Sequence, residues 1–318
     1  MCDGCLALNS DSDSKQKGFS EGFWSKDEIK DVFLDEQREY VLNDDYFKKI
    51  LVPLFGLREN SIILDVGCGL GFVGAKLAEF VPKGKVIGID LDRKLIELAE
   101  KRANNRRIRN LDFRVGNAYE LPIGDNSVDL SICQTLMMHL EEPLKGIKEM
   151  QRVTKTGGHV VAIEPDFSSI SFFDTAYETM NLSLEERSKL WRLERIITVG
   201  KRKLGRGDND IGLRVPYLFF KSGLHLLDVR CLDKVLWLIP LYEGHELEMK
   251  HLQIPPDELI EQLDMKTEFL AGGGTEEEWS DYLQVTKRAY EIQRKQIAEK
   301  KFANSTFQVA TITIAKKI

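Results

Sequence analysis

The sequence predicts an α/β protein with a doubly wound, mostly parallel sheet of seven strands, and three observations carry that prediction. Short apolar runs alternate with helical segments between residues 61 and 164, the pattern of successive strand–helix–strand units with helices on both faces of a sheet. The first run ends in a glycine cluster, DVGCGLG over 65–71, where a strand turns abruptly into a helix. The chain closes on FQVATITI over 307–314, which alternates with the two-residue period of a strand, so its end returns to the sheet rather than founding a second domain.

The elements follow in order. Ser25 and Glu28 form a capping box ahead of a helix carrying Ile29, Val32, Phe33, Tyr40 and Val41. Asn43 or Asp44 caps a second helix through Tyr46, Phe47, Ile50, Leu51 and Leu54. Strands are expected at 62–65, 85–90, 111–115, 128–133 and 159–164, with helices at about 72–80, 93–104 and 143–153. Beyond them, 174–203 reads as mostly helical, 224–237 as β-prone, and 256–270 and 275–303 as helices, the last opened by a capping box of Thr275 and Glu278. The chain thus divides into a tail and helical cap (1–58), a core (59–166), a helical cap insert (167–222) and a closing segment (223–318) with its own helical insert at 238–304.

Composition narrows the class of function. Of 318 residues, 42% are hydrophobic and 30% charged, the balance of a globular chain that can bury a full core. No run approaches the length of a membrane span, and the N-terminus has neither a basic leader nor an apolar stretch, so a cytoplasmic protein is expected. Five scattered cysteines speak against a disulfide framework. Cys2 and Cys5 form a CxxC without a second ligand pair, and no metal site is expected. The net charge of −6 argues against a nucleic-acid substrate. The local exception is a basic strip from Arg187 to Arg206, which reads either as a solvated helix face or as a phosphate-binding surface.

The glycine cluster carries the chemistry. Gly67, Gly69 and Gly71 let the backbone turn and bring its N–H groups close to a ligand, and Asp90 at the end of the second strand offers a carboxylate to a pair of ribose hydroxyls. GLGFVG over 69–74 also satisfies the dinucleotide pattern, so a nicotinamide or flavin enzyme is the competing reading. Asp65 separates the two: its negative charge is unwelcome beside a pyrophosphate and welcome beside an ammonium group.

Five segments in order then carry a resemblance: ILDVGCGLG (63–71), VIGIDLD (86–92), GNAYELP (116–122), DNSVD (125–129) and RVTKTGG (152–158). Together they resemble the class I S-adenosylmethionine-dependent methyltransferases, in particular the small-molecule branch of ubiquinone and menaquinone biosynthesis. The resemblance covers about 60–166 and implies S-adenosylmethionine as cofactor and an antiparallel last strand. It places Gly67, Gly69 and Gly71 along the cofactor's methionine and ribose, Asp65 near its amino group, Asp90 on the ribose hydroxyls and Leu91 against the adenine. Asn117 and Ala118 stand where the family has Asp-Ala, so an amide replaces the usual acid, and Gln134 flanks the methyl donor.

Methyl transfer from a sulfonium needs positioning more than acid–base machinery, and a base only when the nucleophile arrives protonated. His139 is the candidate base: in LMMHLEEP (136–143) it aligns with the second histidine of the family's Leu-His-His pattern, while Met138 replaces the first. The alternative is a histidine satisfied locally at the start of the next helix. Glu164, leaving the fifth strand, is the second catalytic candidate, with Asp166 beside it as either a substrate ligand or a cap. The cap aromatics Phe19, Phe23, Trp24, Tyr40, Tyr177, Trp191 and Trp237 either shape a substrate pocket or simply pack, and GRGD (205–208) reads as loop punctuation. The expected reaction is in-line transfer of a methyl group to an O, N or C nucleophile of a small molecule. The alternatives are an RNA or protein methyltransferase using the 187–206 strip, or a cofactor-binding protein without catalysis.

Overall fold

The computed structural model describes residues 47–169, 176, 180–232, 235–243, 249, 252–307 and 310–318. The Ser25–Glu28 capping box, the helix after it, Phe19, Phe23, Trp24, Tyr40, Tyr177 and the Cys2–Cys5 pair lie outside the described residues.

Five strands lie where the periodicity predicts them, except that the fifth starts earlier, at Thr154 directly after its helix: β1 (Ile62–Val66), β2 (Lys85–Asp90), β3 (Leu111–Val115), β4 (Val128–Gln134) and β5 (Thr154–Pro165). Between them lie α1 (Phe72–Ala78), α2 (Arg93–Asn105) and α3 (Pro143–Val153). Two later strands, β6 (His225–Cys231) and β9 (Ala310–Lys316), join them in one seven-stranded sheet ordered β3-β2-β1-β4-β5-β9-β6. β1 to β5 pair in parallel, and β9 runs antiparallel to both neighbours, β5 and β6.

Alternation along the strands sorts the core into two layers, because successive side chains leave opposite faces. Ile63, Ile132, Val161, Ile163 and Ile312 face Val73 and Leu77 of α1. Leu64, Val66, Cys133, Val160 and Ala162 face Ile147 and Met150 of α3, with Val215 and Phe219 of α5 (Val215–Ser222). Phe47 and Phe55, on the helical stretch that precedes β1, belong to the first layer and meet edge to face at 6.3 Å.

The late segments depart from the sequence reading. The β-prone stretch 224–237 is not one strand: β6 ends at Cys231, and β7 (Val235–Leu238) pairs instead with β8 (Asn304–Phe307) in a separate two-stranded sheet. Phe307 therefore ends β8, and the last sheet strand starts at Ala310. The expected helix 256–270 is two helices, α6 (Pro256–Gln262) and α7 (Met265–Gly272), broken where Asp264 takes a left-handed φ of 52°. The helix expected within 174–203 is α4 (Leu184–Lys203), opened by a reciprocal capping box between Ser183 and Glu186.

These helices and α8 (Glu276–Ala298) form a third apolar cluster containing Leu190, Leu193, Ile197, Phe269, Trp279, Tyr282 and Phe302. Burial pushes the Tyr282 phenol up to about 12. α4 and α7 approach so closely that a Cβ on Gly200 would sit 1.6 Å from the Glu268 carbonyl oxygen, and one on Gly272 2.0 Å from that of Ile196. Only hydrogen fits at that crossing.

Candidate active site

The strand order reverses between β1 and β4, and ligands of such sheets bind in the crevice outside the carboxyl ends at that point. The turn after β1 lies there. Gly67 has φ +68°, and a Cβ on it would stand 2.9 Å from Leu136 Cδ1, so the glycine turn abuts the segment leaving β4. The N–H groups of Gly67 and Cys68 donate to the Ile89 carbonyl at 2.7 and 3.0 Å, tying the turn to the end of β2. Gly71, with its own positive φ, is the N-cap of α1. Asp65 is buried and accepts from the Gly74 N–H at 3.0 Å, which directs one of its oxygens at the first turn of α1.

Asp90 stands across the turn. Its Oδ2 accepts from the Gly69 N–H at 2.8 Å and its Oδ1 from the Asp92 N–H at 3.0 Å. These two bonds fix the orientation of the carboxylate against the glycine turn. Leu91 beside it is 36% exposed, an apolar side chain left at the rim. Asn117 closes an Asx turn, its Oδ1 accepting from the Tyr119 N–H at 2.9 Å, and Ala118 packs on the second core layer. The oxygen expected to replace the family's acid is thus already engaged locally. Gln134 ends β4 buried, and its Oε1 has no hydrogen-bond partner.

Glu164 is fully buried, and its two oxygens are turned to the backbone. Oε1 accepts from the N–H groups of Leu136 and Met137 at 2.9 Å each, and Oε2 from that of Met138 at 3.3 Å. The Cys133 thiol adds a contact at 3.7 Å, and burial beside this carboxylate pushes the thiol pKa up. Burial also raises the Glu164 carboxyl to about 7, against the three N–H groups that favour its charge. The 3₁₀ turn Met137–His139 is held from below by this side chain. The structure therefore separates the two candidate catalytic residues: His139 is on the turn, and Glu164 supports the turn.

Asp166 is also buried; it accepts from the Ser168 N–H and hydroxyl and from the Leu213 N–H at 3.1 Å, a loop cap rather than an open ligand. Trp191 donates to the Ser168 carbonyl at 3.3 Å, and Trp237 is half exposed. Among the described residues no group of three or more His, Cys, Asp or Glu side chains is placed to hold a metal ion.

The basic strip is largely neutralised within the chain. Lys189 pairs with Glu185, Arg192 with Glu278, Arg195 with Asp210, Arg202 with Asp208, and Arg206 with Asp264. Lys201 is buried and donates to Asn209 at 2.6 Å, and burial lowers its ammonium to about 8. The acids concentrated at 208–210 lie just beyond the basic helix, a base-then-acid order that marks a folded-back loop. The sequence reading passed over it.

Residues 57–203 match the family of methyltransferase domains. The core is similar to a methyltransferase domain. Over 140 residues the chain is 33% identical to an uncharacterised methyltransferase of Schizosaccharomyces pombe, covering 42% of this chain and 50% of that protein. Over 117 residues it is 35% identical to the demethylmenaquinone methyltransferase of Lactococcus lactis, covering 36% and 46%. The chain spans about half the length of these curated relatives. The fold is also that of a candidate methyltransferase of Bacillus halodurans, with a TM-score of 0.51 at 16% identity over 84% of this chain and 96% of that one. Within this segment the residues present fit S-adenosylmethionine: a turn of positive-φ glycines at the switch point, an oriented carboxylate at Asp90, an apolar rim at Leu91 and an orphaned buried acceptor at Gln134.

Proposed function

We propose that this methyltransferase domain binds S-adenosylmethionine and methylates an O, N or C nucleophile of a small molecule. The observation that carries the reading is the junction of Asp90 with the glycine turn, where Gly69 N–H and the carboxylate meet at 2.8 Å over the switch point of the sheet. S-adenosylmethionine, when bound, supplies a methyl group on a positively charged sulfur.

The chain's own residues do the rest. Gly67, Gly69 and Gly71 line the cofactor, Asp65 brings negative charge toward its amino group, and Asp90 receives the ribose hydroxyl protons. Leu91 covers the adenine, with Asn117 and Ala118 at its edge. Gln134 offers its unpaired oxygen beside the methyl donor. His139 takes the acceptor's proton at an imidazole nitrogen when the nucleophile arrives protonated. Glu164 works one step removed, by holding the Met137–His139 turn. The cap keeps water from the acceptor. Two observations favour a small acceptor: the basic strip is already paired with acids, and the named relatives include demethylmenaquinone methyltransferases.

The test is transfer of label from methyl-labelled S-adenosylmethionine to three separate pools: deproteinised metabolites, RNA and protein. Label in the metabolite pool is expected, falling about 100-fold or more in His139→Gln with cofactor affinity unchanged. Label confined to RNA or protein would overturn the acceptor class, and none in any pool would remove catalysis.

A further inference from the structure

The loop after α4 reaches across to the turn that carries His139. The Asp208 N–H donates to the Met138 carbonyl at 2.9 Å. Gly207 has φ +94°, and a Cβ there would lie 2.1 Å from the Met138 oxygen and 2.9 Å from His139 Cα. The two segments are therefore in backbone contact, at a distance no other residue permits.

The side chain of Asp208 fixes this loop. It is buried, its Oδ1 accepts from Arg202 of α4 and from the Asp210 N–H at 2.6 and 3.0 Å, and its Oδ2 pairs with Arg214 ahead of α5. The backbone of Met138 is consequently held on both sides of its Cα. Its N–H is held by Glu164 of the sheet, and its C=O by Asp208 of the cap insert.

We propose that Asp208 is a positioning residue that ties the placement of His139 to the placement of the cap. Through Arg202 it is fastened to the long cap helix, and through its own N–H to the peptide preceding His139. Shifts of α4 on closing over an acceptor are thereby transmitted to the imidazole. A charge-assisted pair on a buried carboxylate is stiff enough to do this. The catalytic meaning of the coupling rests on the proposed role of His139, but the coupling itself is measured without cofactor or acceptor.

The experiment is amide exchange at Met138 together with the position of the His139 ring cross-peak, in the wild type, Asp208→Ala, Asp208→Asn, Arg214→Gln and Arg192→Gln. Asp208→Ala is expected to speed Met138 exchange about tenfold or more and to displace the His139 signal. Asp208→Asn keeps an oxygen for Arg202 and Asp210, so it restores most of the protection. Arg214→Gln changes a side chain that is 55% exposed, keeps the fold and gives an intermediate effect. Arg192, on the same helix but paired with Glu278, serves as control and should change neither signal. Unchanged signals in both Asp208→Ala and Arg214→Gln overturn the proposal, as does an equal response in Arg192→Gln, which would mean general loosening of the cap. S-adenosylhomocysteine titration of the same samples separates the two readings. Absence of binding in the wild type removes the cofactor assignment, whereas intact binding without coupling removes Asp208 alone.

Discussion

Asp90 and Leu91 stand side by side at the end of β2 with opposite chemistry, one anchored by two backbone N–H groups and the other left at the rim. Leu91 is 36% exposed at the rim, so Leu91→Ala should weaken S-adenosylhomocysteine about fivefold, from the loss of roughly 1 kcal/mol of apolar contact, with the fold kept. Glu164 gives a prediction in pH. Its folded pKa of about 7 lies above that of an unfolded carboxyl, so the native state holds the proton more tightly. The stability this contributes is fully present below the unfolded carboxyl's range and is lost as pH rises toward about 7, by at most about 1.4 kcal/mol per pH unit. Urea unfolding should show that decline in the wild type and a flatter profile in Glu164→Gln; parallel profiles would contradict it. The contrast between these residues also shows what a sequence discloses. The meeting of Asp65, the glycines and Asp90 at two strand ends was readable because each lies next to a short apolar run that marks its strand. Glu164 was picked out by its place at the carboxyl end of the fifth strand, whereas its bonds to the backbone N–H groups of Leu136, Met137 and Met138 are ones that no side-chain pattern announces.

At the scale of elements, three motifs that read separately in the chain are one bonded unit. Arg152 of α3 bonds both oxygens of Glu149 at 2.8 Å, the Asp125 carboxylate at 2.6 Å and the carbonyls of Ile123 and Leu121. These partners hold its guanidinium pKa above the usual value. Arg152→Ala should cost about 2 kcal/mol in urea unfolding, since several charge-assisted bonds go at once and backbone acceptors are left behind. The α4–α7 crossing makes a second prediction. Gly200→Ala forces the helices apart and should destabilise the cap by about 3 kcal/mol, seen in the fluorescence of Trp279 within the cap cluster. Cofactor binding by the core should survive it. The crossing was invisible beforehand because Gly200 and Gly272 are far apart in sequence, and the same distance hid the pairing of β7 with β8. The helices of the core were readable almost to the residue, since strand–helix alternation repeats with short connections.

At the scale of the molecule, a two-layered core presents the glycine turn, Asp90 and Gln134 at one sheet edge, and a separately cored cap contacts that edge through the 205–211 loop. The charge on α4 serves this assembly, since its arginines bind acids of the loop and of α8, while Arg206 just beyond it binds Glu268 of α7 and the N-cap Asp264. The central claim is that the glycine turn with Asp90 is an S-adenosylmethionine site. Calorimetric titration with S-adenosylhomocysteine, with NAD as competitor and Asp90→Ala and Leu91→Ala alongside, tests it most directly. Micromolar binding of S-adenosylhomocysteine, unaffected by NAD, lost in Asp90→Ala and weakened about fivefold in Leu91→Ala, is the predicted result. Binding of NAD in its place, or binding of S-adenosylhomocysteine untouched by either substitution, would contradict it.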